Sequence, residues 1–554
     1  MFVRVKTTPN SPRKSVQIVE SVRDGNRIKQ RIVRYVGIAM DDKELKKLLE
    51  LAEYIRAKIQ FDHTPTLFSP EEMAELAIES RRIQDENAIN VNLRELKEEQ
   101  RSIVGIHEIF GSIYRQLGFD EILSFKDKKD AEILYHMVMA RIANPASKHA
   151  SVNLLEEDFG IKLNLDKVYR MMDNLDDDVI EKIKNKTYNV AKNLFEKIDI
   201  IFFDATTLYF ESFSEDELKQ NGYSKDLKFN QPQVLFALLV TKEGIPIGYE
   251  AFPGSYYEGH AVLPILKRLK ESYNLDKVVF VADAGMLNAK TLELLESNGY
   301  EYIVGARIKN FSKSINEKIL DKTGYRKINE DLSVTNIDLS SDRHLLVSFS
   351  ENRRKKDSFD REKAINKITK KLKNQKNIKS YLSQFGYKKF LKLDGATQIS
   401  IDEEKLQTEA LWDGLHGIVT NSKNLSSEEI LHQYKGLWQV EESFRICKHD
   451  LKIRPIYHWT PDRVRAHLAI VYIAFTCARH LEYRIGLQYQ SMSIEAIRQE
   501  LTRIQVSILK DPQGQRYVVP SRASQDGVKI YQVMGIKYST VPYRLVSSKP
   551  KFNK

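Results

Sequence analysis

The 554-residue chain reads as an α/β protein whose core is interrupted by an insert, and three observations predict this. After a long helical stretch come four apolar, strand-like runs: IDIIFFDATTLYFES, QPQVLFALLV, IPIGYEAF and DKVVFVADAG, the middle two joined by a TKEG turn. A helix, NAKTLELLESNG, and a fifth strand, EYIVGA, complete the series. Three strands in a meander, then strand, helix and strand, is the order of an RNase H-like α/β core. The third observation is charge. Residues 351–392 hold 15 Lys and Arg against 4 Asp and Glu, a net of +11 that equals the charge of the whole chain.

The length exceeds what one core can serve, so several domains are expected. Apolar residues at 42% and charged residues at 29% are ordinary for a soluble protein, whereas the net charge of +11 points to a polyanionic partner, nucleic acid first. Two cysteines, Cys447 and Cys477, with no C-x-x-C, exclude a disulfide framework and a cysteine-based zinc site and suit a reducing cytosol. The opening MFVRVKTTPNSPRK has no apolar core of a signal peptide, and the apolar run 468–478 is too short to span a bilayer. A cytoplasmic protein without a membrane partner is expected, associated with the nucleoid when bound to DNA.

Taken in order, residues 1–100 begin with a basic strand meander (FVRV, SVQIVESVR, a DGN turn, RIKQRIVRYVG) and continue into a helix over 41–60. The meander's cations serve either a half-exposed sheet or phosphate contact at a DNA end. Residues 101–197 read as a helical domain, in which LNLDKVYRMMDNL is either a packing helix or the second helix of a helix-turn-helix. The core's first part is 198–306. An insertion domain follows at 307–414, with a strand HLLVSFS and a lysine-rich helix REKAINKITKKLKNQ whose charge density is best explained by phosphate contact, through Lys370, Lys371 and Lys373 among others. The core's second part, 415–485, ends in a long apolar helix. Residues 486–554 form a C-terminal region to which the sequence assigns no chemistry.

Two apolar strands run directly into an aspartate, IIFFD at Asp204 and VVFVAD at Asp283. The stretch 427–451, SEEILHQYKGLWQVEESFRICKHDL, supplies a third acid. Wound as one helix at about 100° per residue, it gathers Tyr434, Glu441, Arg445 and Lys448 into one narrow sector. Val440, Phe444, Cys447 and Leu451 form a separate apolar stripe suited to docking on a core. A solvated face with a Glu441–Arg445 pair is the plain alternative. Asp204, Asp283 and Glu441 would make a carboxylate set of the kind that holds two Mg²⁺ ions for in-line phosphoryl transfer, with Mn²⁺ as a substitute, because Mg²⁺ takes hard oxygen ligands and keeps several waters.

The spacing of Tyr434, Glu441 and Lys448 resembles the Y-(2)-R-(3)-E-(6)-K signature of the DDE transposases of bacterial insertion sequences, in the cut-and-paste group. The words YKGLWQVEESFRICKHDL, RPIYHW, VADAG and GYSKD are similar to that group as well, and the likeness covers roughly residues 1–485. The resemblance implies a metal-binding catalytic triad of Asp204, Asp283 and Glu441 and an insertion domain between the second and third acids. It also implies contacts from Tyr434 and Lys448 to transposon-end phosphates, and a homodimer that pairs two DNA ends before joining them to target DNA. The signature arginine is replaced by Leu437, and Arg445 is the cation that could stand in for it. Trp412, 29 residues before Glu441, is by position the candidate for stacking on a flipped base, with a core tryptophan as the alternative. A structure-specific nuclease would use the same three acids without needing matched DNA ends. An inactive DNA-binding derivative would have lost one of them.

Overall fold

The computed structural model describes the chain apart from residues 8–12, 25–26, 64–73, 76–77, 79–90, 125–126, 196, 212–213, 223–229, 257–260, 268–278, 284–287, 374–389, 395–397 and 546–554. Its contacts divide it into two units. One comprises Met1–Glu99, Ile508–Val519 and Val541–Lys554, the other Gln100–Ser507 and Pro520–Thr540.

In the first unit, β1 (Phe2–Thr7), β2 (Lys14–Asp24) and β3 (Arg27–Ala39) form an antiparallel sheet in that order, and α1 (Asp42–His63) packs on β2 and β3. The helix is capped: Asp41 accepts from the Glu44 N–H at 2.7 Å and Glu44 accepts from the Met40 N–H at 2.9 Å. Val16, Ile18 and Val19 of the sheet and Ala52 and Ala57 of the helix are buried. Late in the chain Arg516 returns to this unit, donating to both oxygens of Glu99 at 2.5 and 2.7 Å.

β4 (Lys97–Ile103) leads into the second unit, which begins with α2 (Gly105–Gln116), α3 (Lys128–Ala143), α4 (Lys148–Phe159), α5 (Leu165–Asp173) and α6 (Asp177–Leu194). Ser147, Asn164 and Asp176 start the last three by accepting a backbone N–H, which is why the chain turns where it does.

Next come β5 (Ile200–Tyr209), β6 (Gln233–Thr241), β7 (Pro246–Pro253), β8 (Val279–Ala282), α7 (Ala289–Ser297) and β9 (Glu301–Ala306). β5 pairs antiparallel with β6, and β6 with β7, while β5, β8 and β9 run parallel. The order β9-β8-β5-β6-β7 is thus continuous, and it continues further. From the inserted stretch, α8 (Lys313–Leu320) and the strands β10 (Arg326–Lys327), β11 (Leu332–Asp338) and β12 (His344–Ser350) precede α9 (Glu351–Lys373), the hairpin β13 (Leu391–Asp394) with β14 (Gln398–Ile401), and α10 (Glu403–Ala410). β15 (Leu415–Thr420) returns between β9 and β12, antiparallel to both, so that β10, β11 and β12 extend the core sheet to nine strands. HLLVSFS is buried through its middle, and a central place in the sheet answers that burial. Among the described residues, α9, α10 and the region near Phe390 gather a small cluster of their own, from Ile368, Phe390 and Leu406.

The sheet has two apolar faces. Ile201, Phe203 and Ala205 of β5 enter one cluster with Phe280 and Tyr302, and Phe202 and Leu208 enter the other with Val281 and Phe236. That second cluster is continuous with the helices α2–α6 and with α11 (Ser427–Lys435), α12 (Trp438–Arg445) and the long α13 (Pro461–Gln488), the buried axis on which α2, α3, α5 and α6 pack. α14 (Ile494–Thr502) follows. Among the described residues no helix is long and apolar enough to cross a membrane.

Candidate active site

Alternation along β5 settles where its acid points. Phe202 and Leu208 belong to the helix-side cluster, so Asp204 and Thr206, between them at the same parity, share that face. The strand does not stop at Asp204 as the sequence suggested. Asp204 is the fifth of ten residues and pairs opposite Leu238 of β6, because the following Thr-Thr-Leu-Tyr run is β-branched and aromatic and sustains the ladder. β8 does end where expected, and Asp283 stands exposed at its exit. The parallel register aligns Phe202 with Val281. Carried two residues past that pair, the register sets Asp204, inside β5, level with Asp283, one residue beyond the end of β8.

Over the helix-side face of the sheet lies the stretch 427–451, and it is three pieces where one helix was projected. α11 opens with a reciprocal cap, Ser426 accepting from the Glu429 N–H at 3.2 Å and Glu429 from the Ser426 N–H at 2.8 Å, worth about 1 kcal/mol. It packs on β8 and β9, whereas α12 packs on β5 and β6. The joint is Gly436, where a Cβ would stand 2.3 Å from the Phe202 ring. Only glycine lets the backbone settle onto β5 there. After Arg445 the chain widens into a π turn, Ile446–Asp450. Val440, Phe444, Cys447 and Leu451 are all buried, so the apolar stripe survives both irregularities, and burial pushes the Cys447 thiol up.

The two ends of the stretch reach the two strands. The Tyr434 hydroxyl donates to Asp283 at 3.3 Å. Burial first, then the charges of Asp283 and Glu441, hold its phenol above the usual range. Lys448 Nζ donates to Thr206 Oγ1 at 2.5 Å, on the same face of β5 as Asp204. Glu441 is exposed on α12 between them. Two residues the sequence reading passed over join this group. The His416 ring of β15 meets Tyr434 edge-on, centroids 5.0 Å apart, and its pKa is lowered by burial and then by the charge of Arg353, in the first turn of α9. Arg353 also acts on Tyr434, so the basic insert begins beside the carboxylates. A single histidine inside GLHGIVTN carries no spacing signal that would have marked it.

Other expected residues lie elsewhere. Arg445 does not share the Glu441 side: it donates to both oxygens of Glu442 at 2.7 and 2.6 Å and lies 3.3 Å from Asp450. Glu442 raises its pKa further, and a long side chain leans along the helix in a way a projection cannot show. Leu437, where the signature has arginine, is buried. Trp412 is half-buried against the cluster on the sheet face opposite Asp204, with Lys309 Nζ 5.9 Å from its ring centroid, so it is not brought to the carboxylates. Lys370 is exposed on α9, which also carries Lys371 and Lys373, whose side chains lie outside the described residues.

The donor chemistry fits a hard divalent cation, since all three acids concerned are carboxylates, and the His416 imidazole beside Tyr434 is turned to that ring and to the Gly417 carbonyl. Among the described residues, no three such side chains converge closely enough to ligate one ion. Asp204 and Asp283 supply a level pair, and Glu441 stands off on its helix.

Comparison with known families gives the class. Residues 195–477 match the transposase DDE domain, and residues 2–60 match the N-terminal domain of IS1634 family transposases. The chain belongs to the DDE transposases of bacterial insertion sequences. No curated protein matches it. Among solved structures, a piggyBac transposase synaptic complex with hairpin DNA is similar over 72% of this chain and 79% of that one, at 9% identity and a TM-score of 0.37. A Mos1 transposase paired-end complex with left transposon end is similar over 46% and 77%, at 13% identity and 0.14. Likenesses this loose add nothing to the family assignment.

Proposed function

We propose that this transposase binds the terminal inverted repeats of its element, pairs two ends as a homodimer, cuts them by a cut-and-paste route through a hairpin, and joins the freed 3′ ends to target DNA. The observation that carries the reading is the level placement of Asp204, within β5, and Asp283, at the exit of β8, beneath the helix bearing Glu441. The strand order β7-β6-β5-β8-β9, with only β6 reversed, supports an RNase H-like core for it. Two Mg²⁺ ions, or Mn²⁺ in their place, would supply the activated water or 3′-hydroxyl and offset charge on the leaving oxygen.

The chain's own residues have these tasks. Asp204 from within β5, Asp283 from the exit of β8 and Glu441 from α12 would offer the oxygen ligands. Tyr434 holds the Asp283 carboxylate in one orientation through its hydroxyl and stands close enough to meet a phosphate at the DNA end. Lys448, now on Thr206, is placed to exchange that hydroxyl for a phosphate oxygen beside Asp204, as a point charge does. The basic face of α9, Lys370 with Lys371 and Lys373, follows the backbone further out, and the basic N-terminal sheet takes part in end binding. Such a protein works in the cytoplasm, at the nucleoid.

The test is to incubate the full chain with linear DNA carrying its own element's ends and Mg²⁺ and to size the products. Paired, end-specific cuts and a hairpin intermediate are expected. Cutting that ignores the end sequence would make it a structure-specific nuclease, and binding without cutting an inactive derivative.

A further inference from the structure

Four successive backbone carbonyls, 450–453, close the stretch that bears Glu441 and Lys448, and side chains of three other helices hold them. Arg498 of α14 donates to the Asp450 carbonyl at 2.8 Å. Arg141 of α3 spans the next two, Leu451 at 3.4 Å and Lys452 at 3.3 Å. His467 of α13 donates to the Ile453 carbonyl at 2.9 Å. A carbonyl only accepts, so this ring carries its proton on Nε2, and Nδ1 is left to accept from Lys148 of α4, whose Nζ lies 3.4 Å away.

These are not surface caps. Arg141, Lys148, His467 and Arg498 are all buried. Arg498 is paired with Glu495, but Arg141 has no carboxylate partner among the described residues and faces backbone oxygens. Burial lowers its pKa to about 10, which leaves it charged at neutral pH, whereas burial and then the charges of Lys148 and Arg141 hold His467 neutral. A buried cation is unfavourable unless something answers it, and here the answer is the negative end of a helical stretch, whose last carbonyls have no donor of their own. The backbone path also needs holding. Lys452 has a φ of 44°, in the left-handed region that residues other than glycine rarely adopt.

Position shows what the clamp serves. The Leu451 N–H donates to the Ile446 carbonyl at 2.9 Å and the Ile453 N–H to the Cys447 carbonyl at 2.8 Å, so the π turn carrying Lys448 is closed from residues 451 and 453. Fixing those two residues fixes Lys448. We infer that Arg141 and Arg498 are positioning residues for Lys448: by clamping the carbonyls at the end of the π turn they hold its ammonium over the face of β5 that carries Asp204, with His467 and Lys148 as backing. The C-terminal region, through α14, thereby takes part in the chemistry. The inference rests on the reading of Lys448 given above.

A double-mutant cycle tests it. Wild type, Lys448→Ala, Arg498→Met and the double variant are compared in single-turnover cleavage of saturating end-bearing DNA with Mg²⁺, as rates per folded molecule, alongside end binding by mobility shift. Arg498→Met keeps a long side chain and removes every donor. It should bind ends as wild type does and cut about tenfold more slowly, since a small displacement beside reacting atoms has effects of that size, and Arg498→Lys should recover most of the rate. In the Lys448→Ala background the same change should slow cleavage by less than about twofold. Arg141→Lys keeps the charge but gives up the planar fork; its loss of about threefold should vanish in the same background, and this cycle serves if Arg498→Met does not fold. Equal losses in both backgrounds, or arginine variants that cut at the wild-type rate, overturn the proposal and leave the reading of the site intact. Lys448→Ala cutting as fast as wild type would instead sink the reading of Lys448, and this proposal with it.

Discussion

Glu441 and Glu442 are adjacent on α12, yet their surroundings have little in common. Val440, Ser443 and Phe444 are buried, so the two carboxylates leave the helix on opposite flanks of its exposed crest. On one flank Glu442 accepts both arms of Arg445, with the charge of Arg479 nearby, and its carboxyl is held below the usual range mainly by Arg445. Arg479 is in turn fixed by the Gly244 carbonyl at 3.0 Å and by Gln439 at 3.1 Å. On the other flank Glu441 makes no ion pair among the described residues, and its charge is felt by Tyr434 together with that of Asp283. A carboxylate already matched to a guanidinium is structural. One that has no matched cation among the described residues is open to an incoming one.

If that difference is what separates chemistry from scaffolding, substitutions should fall on a descending scale. Asp204→Ala, Asp283→Ala and Glu441→Ala should each abolish strand cleavage and leave end binding, measured by mobility shift, largely intact, because the basic surfaces supply affinity. Cleavage near the wild-type rate from any one of them would remove that residue from the set. Lys448→Ala should lower cleavage by about 10², well beyond any loss of binding, as expected for an electrostatic stabiliser. Tyr434→Phe keeps the ring against His416 but drops the hydrogen bond to Asp283. A roughly tenfold fall in rate is expected, the scale of one hydrogen bond to a charged group, and an unchanged rate would make Tyr434 a packing residue. Cys447→Ala, beside Lys448 but buried, should leave the rate per folded molecule unchanged and lower the melting temperature, at a cost of about 1 kcal/mol.

Much of this could be read from the chain. The period of the strands announces their order, and the spacing of Tyr434, Glu441 and Lys448 marks a stretch that the structure ties through Tyr434 to Asp283 and through Lys448 to Thr206 of β5. What escaped depends on contacts distant in sequence. The joint at 436 must be glycine because Phe202, more than two hundred residues earlier, occupies the space a side chain would need. Arg445 turns to Glu442 because Glu442 is in reach, which angular position alone does not reveal. β10–β12 join the core sheet through β15, a pairing no local pattern encodes. Trp412 and Trp459 are one residue type, and only packing tells the half-buried ring from the exposed one.

The most direct measurement sets Glu441→Gln against Glu442→Gln, two isosteric changes one residue apart, in cleavage of end-bearing DNA with Mg²⁺. Glu441→Gln should yield no product. Glu442→Gln should cleave close to the wild-type rate and differ only by a small drop in melting temperature from the lost pair with Arg445, a partly exposed contact worth up to about 1 kcal/mol. A dead Glu442→Gln beside an active Glu441→Gln, both folded, would mean that the other flank of α12 faces the DNA and that the assignment of Glu441 is wrong.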